Sequence, residues 1–406
     1  MSPLFGRARQ VAAPATSGRP GFEYLRDESV YLDSACQTLR PQPVIDALTD
    51  YYTTHNACGD RVRYAWGKQV DEQVEATRDA VLAALGLPAR RYATSFTLNT
   101  TYGINLLLNQ LPAGRFRRVV TTHTEHNSVF LSTMAYARRA GVERVLLDRT
   151  PDGTLVLTDA DVADAVVVVS AMNNVDGATT DLADLITRTQ RGGGIVIVDA
   201  AQAFGHAPGL LRGLTPDAVC FSAHKAYGAS LGVVAATREL LLGLDVSFIG
   251  GGQVTAVHEG DYELYDEPHS RLEPGLQAWG EIIALGAALE WLGLGGRRPD
   301  EGREAREREL AGALHEGLSA LPNLRVLSRH GSPLVTVLPE RVDGHRLATF
   351  LSKAGVMVRS GHFCAHHWLV EREGYAPLVR FSLGAHNTAA DIEKALATMS
   401  PLMKGL

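Results

Sequence analysis

The segment Phe221-Ser222-Ala223-His224-Lys225 directly follows an apolar run, Ala218 to Phe221. A lysine at the end of a buried strand, beside a hydroxyl and an imidazole, is placed to act as an imine-forming amine whose neighbours hold an anion. A solvated loop lysine is the plain alternative. Upstream, the run Ile195 to Val198 ends in Asp199, with Gln202 soon after. A carboxylate at such a strand tip can keep a pyridinium nitrogen protonated, or it can cap a helix. Asn99-Thr100-Thr101-Tyr102-Gly103 follows a third run and opens a helix. Its N–H groups and hydroxyls can receive a phosphate at the positive helix end, although ordinary capping uses the same residue types. An amine, a ring partner and a phosphate cradle are together what pyridoxal phosphate requires.

Parallel strands buried on both faces must position these groups. From Arg91 to Val234 the chain alternates short β-branched runs with amphipathic stretches, the pattern of βαβ units. The runs are Tyr92 to Leu98, Arg118 to Thr121, Arg144 to Leu147, Ala165 to Ser170, Gly194 to Asp199, Ala218 to Ser222 and Gly232 to Ala235. They predict a mostly parallel seven-stranded sheet. Helices are expected at Tyr102 to Leu111 and at Ser128 to Ala140, the latter capped by Asn127 or Ser128. Ligands of such sheets bind beyond the carboxyl ends of the strands, where the three segments lie. After the apolar helix Gln277 to Leu292 and the loop Gly293 to Pro299, mixed elements predict a small α+β C-terminal domain. They are a helix from Glu301 to Leu321, a run from Pro333 to Leu338, a helix from Gly344 to Ala354, and runs at Val356 to Val358 and Val379 to Leu383. The division expected is a disordered tail over 1–21, a segment over 22–60 packing with the small domain, a large domain over 61–290 and the small domain over 291–406.

Composition narrows the function class. A net charge of −6 and evenly mixed signs argue against a nucleic-acid partner. Apolar runs are too short for a membrane helix. The four cysteines, Cys36, Cys58, Cys220 and Cys364, form no C-x-x-C pair that would suggest a zinc site or a redox motif, and a bacterial-type reducing cytoplasm is expected. Gly192 to Gly194 precedes a strand where a dinucleotide loop would follow one.

From Tyr31-Leu32-Asp33-Ser34-Ala35 to the C-terminus the chain resembles the class V aminotransferases, fold-type I pyridoxal-phosphate enzymes, and within them the group II cysteine desulfurases and selenocysteine lyases. The motifs in order are Thr100-Thr101-x-Gly103-Ile104-Asn105, Glu125-His126, Asn174-x-x-Gly177, Asp199-Ala200-Ala201-Gln202-Ala203, Phe221-Ser222-x-His224-Lys225, Gly250-Gly251-Gly252, Arg359-x-Gly361-His362-x-Cys364-Ala365 and Arg380-x-Ser382-Leu383. The resemblance implies Lys225 as the imine lysine, Asp199 as the pyridinium partner and His126 as the ring stacked on the cofactor. It implies ring contacts from Asn174 and Gln202, phosphate contacts from Thr100, Thr101, Ser222 and His224, and a carboxylate clamp at Arg380 with Arg359 nearby. Cys364 would be the thiol that takes up sulfur. Arg359, His362, His366 and His367 offer it cationic surroundings, and a buried structural cysteine is the other reading.

Several positions depart from the family pattern. Tyr102 stands where a glutamate is usual and Phe363 where a histidine is. Leu276 and Trp279 fall in a segment where threonines reach the partner subunit's cofactor phosphate, and Asn56 to Arg61 replaces a stretch near the pocket entrance. These bear on substrate more than on cofactor. The expected activity is conversion of L-cysteine or an analogue to alanine with persulfide formation, in a homodimer that passes sulfur to an acceptor protein. The alternatives are a C–S lyase, a selenocysteine lyase, an epimerase, a tailoring enzyme on another amino acid, or a scaffold that has lost activity.

Overall fold

The computed structural model describes residues 19–25, 29–60, 62–150, 153–294 and 301–406. Of the expected tail, residues 1–18 lie outside this set, as does most of the Gly293 to Pro299 loop. Arg19 does not belong to a tail: it is buried, and its Nη2 donates to Asp391 Oδ1 at 2.8 Å.

The seven predicted runs all form strands of one sheet, which has an eighth. They are β1 (Tyr92–Thr97), β2 (Arg118–Thr122), β3 (Glu143–Arg149), β4 (Leu155–Val156), β5 (Ala165–Ser170), β6 (Ile195–Asp199), β7 (Ala218–Ser222) and β8 (Gly232–Thr237), in the order β1-β8-β7-β6-β5-β2-β3-β4. Strands β7, β6, β5, β2 and β3 are mutually parallel, and β8 is antiparallel to both its neighbours. The added strand β4 is a two-residue antiparallel return on β3, too short to leave a pattern in the sequence.

Strand alternation divides the core into two layers. Val167, Val169, Val196 and Val198 face a cluster with Val74 and Val81 of the helix Ala65–Leu85 and with Ile282 and Leu285 of the helix Trp279–Trp291. Val166, Val168, Ile195 and Ile197 face the opposite cluster, with Ile104 and Leu107 of the helix Thr100–Asn109 and Val129 and Tyr136 of the helix Asn127–Ala140. Each fully buried Val or Ile contributes about 1.5–3 kcal/mol, so strands apolar on both faces are held firmly at depth.

The C-terminal part is a separate antiparallel sheet of β9 (Leu324–Val326), β10 (Leu334–Pro339), β11 (Arg359–Gly361) and β12 (Leu378–Ser382), in the order β9-β10-β12-β11. Its core includes Leu314, Leu347, Phe381 and Met399, contributed in part by the helices Glu301–Ser319, Gly344–Lys353 and Ala389–Lys404. The 22–60 segment divides between the two sheets instead of packing only with the small one. Val30–Tyr31 pairs with Val356–Met357, and Val30 and Leu32 join the small core. The helix Gln42–Thr54, unforeseen from the sequence, turns Val44 and Tyr51 towards the helix Trp279–Trp291. Among the described residues no helix is long and apolar enough to cross a membrane.

Candidate active site

The twelve residues given catalytic, cofactor or substrate roles from the sequence all line one cavity of about 310 Å³ at the carboxyl ends of β5, β6 and β7, whereas His362, His366 and His367, expected to surround Cys364, do not line it. Register explains the convergence. Ser170 pairs with Asp199 and Asp199 with Cys220, so neighbouring strand tips end side by side.

Lys225 lies in a single 3-10 turn, Ala223–Lys225, immediately after β7. The turn is pinned from the N-terminal segment: Thr38 Oγ1 donates to the His224 carbonyl at 3.1 Å and accepts the Tyr227 N–H at 2.8 Å. A Cβ on Gly205 would lie 2.3 Å from the Lys225 carbonyl oxygen, so only glycine allows this approach. Burial pushes the Lys225 ammonium below its ordinary pKa, against the pull of Asp199. Burial pushes Asp199 up to about 6, although its Oδ1 accepts the Ala201 N–H at 2.9 Å. Gln202 Nε2 donates to the Ala35 carbonyl at 2.9 Å, and its Oε1 is buried without a partner.

At the same end, the helix Thr100–Asn109 begins two residues before the expected Tyr102, because Asn99 Oδ1 caps the Tyr102 N–H at 3.0 Å. Ser222 Oγ accepts the Thr100 N–H at 2.9 Å and lies 2.7 Å from the Thr100 hydroxyl, so these side chains hold each other. Thr101 Oγ1 lies 2.5 Å from Ser128 Oγ. The helix Asn127–Ala140 is capped neither by Asn127 nor by Ser128: His126 Nδ1 accepts the Ser128 N–H at 3.1 Å, a tie that fixes the ring. Burial, with Lys225 and Arg380 nearby, drives His126 down to about 3 and keeps it neutral. Burial beside Lys225 brings His224 down to about 4.

The opposite wall comes from the small sheet and the N-terminal segment. Arg359 on β11 and Arg380 on β12 are direct cross-strand partners, a like-charge pairing that needs a counter-charge. Asp33 supplies it, accepting from Arg359 Nε at 3.1 Å and lying 3.6 Å from Arg380 Nη2. Arg380 is buried, donates from Nη1 to the Asn174 carbonyl at 2.7 Å, and stacks 4.7 Å above the Phe363 ring. Its Nε has no partner, and burial brings the guanidinium down to about 10. Phe363 thus gives Arg380 an aromatic face that the usual histidine would supply differently.

Cys364 is exposed on a loop where Phe363 and Cys364 adopt φ of +48° and +57°. Left-handed backbone in two consecutive non-glycine residues costs of order 1–3 kcal/mol each and persists only when neighbours fix it. Asn174 Nδ2 donates to the Phe363 carbonyl at 2.8 Å, and the Asn127 N–H to the Cys364 carbonyl at 2.6 Å.

The sequence marks Ser128 only as a candidate helix cap and assigns no site role to Asp33, Ser170, Met172, Thr38 or Cys36. Asp33, Ser34 and Ala35 were part of a matching motif, which was the available signal. Cys36 proves to line the cavity, its Sγ 2.8 Å from Arg359 Nη2. Leu276 and Trp279 do not line it. With exposed Cys58, Arg78 and Glu273 they border a second cavity of about 680 Å³. Cys220 is fully buried in β7, and its thiol is raised by burial.

The class-V aminotransferase family model matches residues 30–395. The chain belongs to that family. It is 30% identical over 387 residues to a probable cysteine desulfurase 2 of Mycobacterium leprae, covering 91% of each chain. It is 29% identical over 385 residues to the cysteine desulfurase CsdA of Escherichia coli, covering 92% of this chain and 94% of that one. Among solved structures, a cysteine desulfurase from Thermococcus onnurineus NA1 superposes with a TM-score of 0.84 at 28% identity, covering 94% of this chain and 96% of the other. Escherichia coli CsdA gives 0.82 at 26%, covering 96% and 98%. The fold is the fold-type I architecture of this family, as the resemblance implied.

Proposed function

We propose that the chain is a pyridoxal-phosphate-dependent cysteine desulfurase that converts L-cysteine to L-alanine and takes up the sulfur on Cys364 as a persulfide. The observation that carries this is the meeting of Lys225, Arg380 and Cys364 in one cavity, and the similarity to cysteine desulfurases supports it.

The residues present fit the cofactor. A buried lysine faces a buried carboxylate across the strand ends, and Gln202 Oε1 and Arg380 Nε are buried polar atoms that lack partners. Asp199 would hold the ring nitrogen, His126 the ring face, Asn174 and Gln202 the ring edge, and Thr100, Thr101, Ser222 and His224 the phosphate. Thr100 contributes least, since its hydroxyl is already engaged by Ser222. When bound, pyridoxal phosphate supplies an electron sink that makes the substrate Cα proton removable.

The chain's own groups do the rest. Arg380 binds the substrate carboxylate through its planar fork, with Phe363 and the Asn174 carbonyl keeping the guanidinium still. Lys225, its pKa lowered by burial, takes the Cα proton and returns a proton to the product. Neutral His126 keeps a second positive charge away from Lys225. The Cys364 thiolate forms an S–S bond to the substrate sulfur as the Cβ–S bond breaks, and alanine leaves after protonation at Cβ. Enzyme thiol plus cysteine thus balances enzyme persulfide plus alanine.

The same reading includes a homodimer, supported by exposed Phe248, Val257 and Leu276 on one segment. It includes a protein that collects sulfur at exposed Cys364, and a reducing cytoplasm. The test is L-cysteine with a thiol reductant on the pyridoxal-phosphate-loaded protein, alanine and sulfide being quantified. Equimolar products that vanish in Cys364→Ala are expected. Pyruvate as the carbon product, or turnover intact in that variant, would overturn the desulfurase reading in favour of a lyase or another tailoring reaction.

A further inference from the structure

A second thiol shares the cavity with Cys364. Cys36 sits in a tight turn whose Cys36 and Gln37 N–H groups both donate to the Asp33 carbonyl, at 3.0 and 3.2 Å. Its side chain is half-buried, and Arg359 Nη2 approaches its Sγ to 2.8 Å. A guanidinium has only donors, so the sulfur accepts this hydrogen bond. Arg359 is not free to turn elsewhere, because Asp33 holds its Nε at 3.1 Å. The same wall carries Arg380, buried and with its Nε unpartnered, so this end of the cavity is built for anions. Cys36, Cys364 and Lys225 all line the same cavity, so the two thiols share one reacting centre. The other two cysteines have no such setting: Cys220 is buried inside a strand and Cys58 borders the second cavity.

We propose that Cys36 is a second sulfur-carrying thiol of the site, accepting the outer sulfur from the persulfide formed on Cys364. This rests on the desulfurase reading given above. In the transfer the Cys36 thiolate attacks the terminal sulfur of the Cys364 persulfide. The S–S bond on Cys364 breaks and Cys364 leaves as a thiolate, while a new S–S bond forms on Cys36 and the persulfide proton stays with the transferred sulfur. No oxidant or reductant is consumed. Arg359 steadies the attacking thiolate, and the half-buried position of Cys36 shields the sulfur more than exposed Cys364 does.

The experiment loads the holoenzyme with one equivalent of L-cysteine without reductant, alkylates it, and maps the extra sulfur to peptides by mass spectrometry. Extra sulfur is expected on the Cys36 and Cys364 peptides of the wild type, on Cys364 alone in Cys36→Ser, and on neither in Cys364→Ala. Arg359→Ala is expected to lower the Cys36 label relative to the Cys364 label in the same sample. A wild type that carries extra sulfur on Cys364 and none on Cys36 overturns the relay and leaves the desulfurase reading intact. Equal labelling of Cys58 overturns it as unspecific sulfur exchange, and Cys36 labelled in Cys364→Ala overturns the order of transfer. Alanine formation with neither cavity thiol labelled defeats the Cys364 reading itself.

Discussion

At the lysine end of the cavity, Ser170, Asp199 and Ser222 are the last residues of three adjacent parallel strands, and the sheet register alone sets their spacing. At the thiol end, Asp33, Asn174, the Arg359 to Cys364 stretch and Arg380 come from four separate stretches of chain, joined by side-chain bonds to carbonyls and carboxylates. The first wall inherits its rigidity from strands apolar on both faces. The second has a left-handed backbone at Phe363 and Cys364 and depends on single hydrogen bonds to hold it. A preformed cofactor cradle facing a thiol held by few contacts allows one wall to vary without dismantling the other.

The contrast can be broken most severely at the lysine wall. Lys225→Ala is expected to lower turnover by about 10³-fold, the scale of a positioned acid–base group, and to abolish deuterium exchange at the substrate Cα. Retained exchange in that variant would remove Lys225 from the proton transfer. Asn174→Ala probes the tie between the walls, since Asn174 holds the Phe363 carbonyl and, in the proposed function, also stands at the cofactor ring edge. Releasing the Phe363 carbonyl is expected to lower kcat about tenfold, equivalent to about 1.4 kcal/mol, while the strand-end hydroxyls keep the cofactor phosphate. A loss of cofactor equal to the loss of rate, followed by absorbance and turnover on the same sample, would show that the walls are not separable.

The smallest effect concerns pH. Unfolded His126 takes up its proton near pH 6.5, whereas in the fold it does so only near 3. Above 6.5 both states are neutral and the residue contributes no pH dependence; between 6.5 and 3 the unfolded state gains the proton and the wild type loses stability. His126→Asn can still cap the helix at Ser128 but does not titrate, so its Tm is expected to fall less on acidification from pH 7 to pH 5. Parallel Tm curves for the two proteins would contradict the neutral, desolvated histidine.

The lysine wall was legible in the chain because each of its groups ends a continuous apolar run, as Asp199 ends Ile195 to Val198 and Ser222 ends Ala218 to Phe221. Buried parallel strands announce themselves by composition, and their ends are where ligands bind. Arg359, Cys364 and Arg380 were found only through the motif resemblance, since no periodicity marks a loop thiol. Neither route revealed that Asp33 bridges two arginines, that Thr38 clasps the lysine turn or that His126 caps its own helix.

Alternation and apolar run length are local properties of the chain, so the large sheet and its two faces follow from them directly. Tertiary structure alone decided that Cys36 shares a cavity with Cys364 while Leu276 and Trp279 border another. Cys36 meets Arg359 across 323 positions of chain, and a contact of that kind exists only once two sheets have packed around the segment that links them.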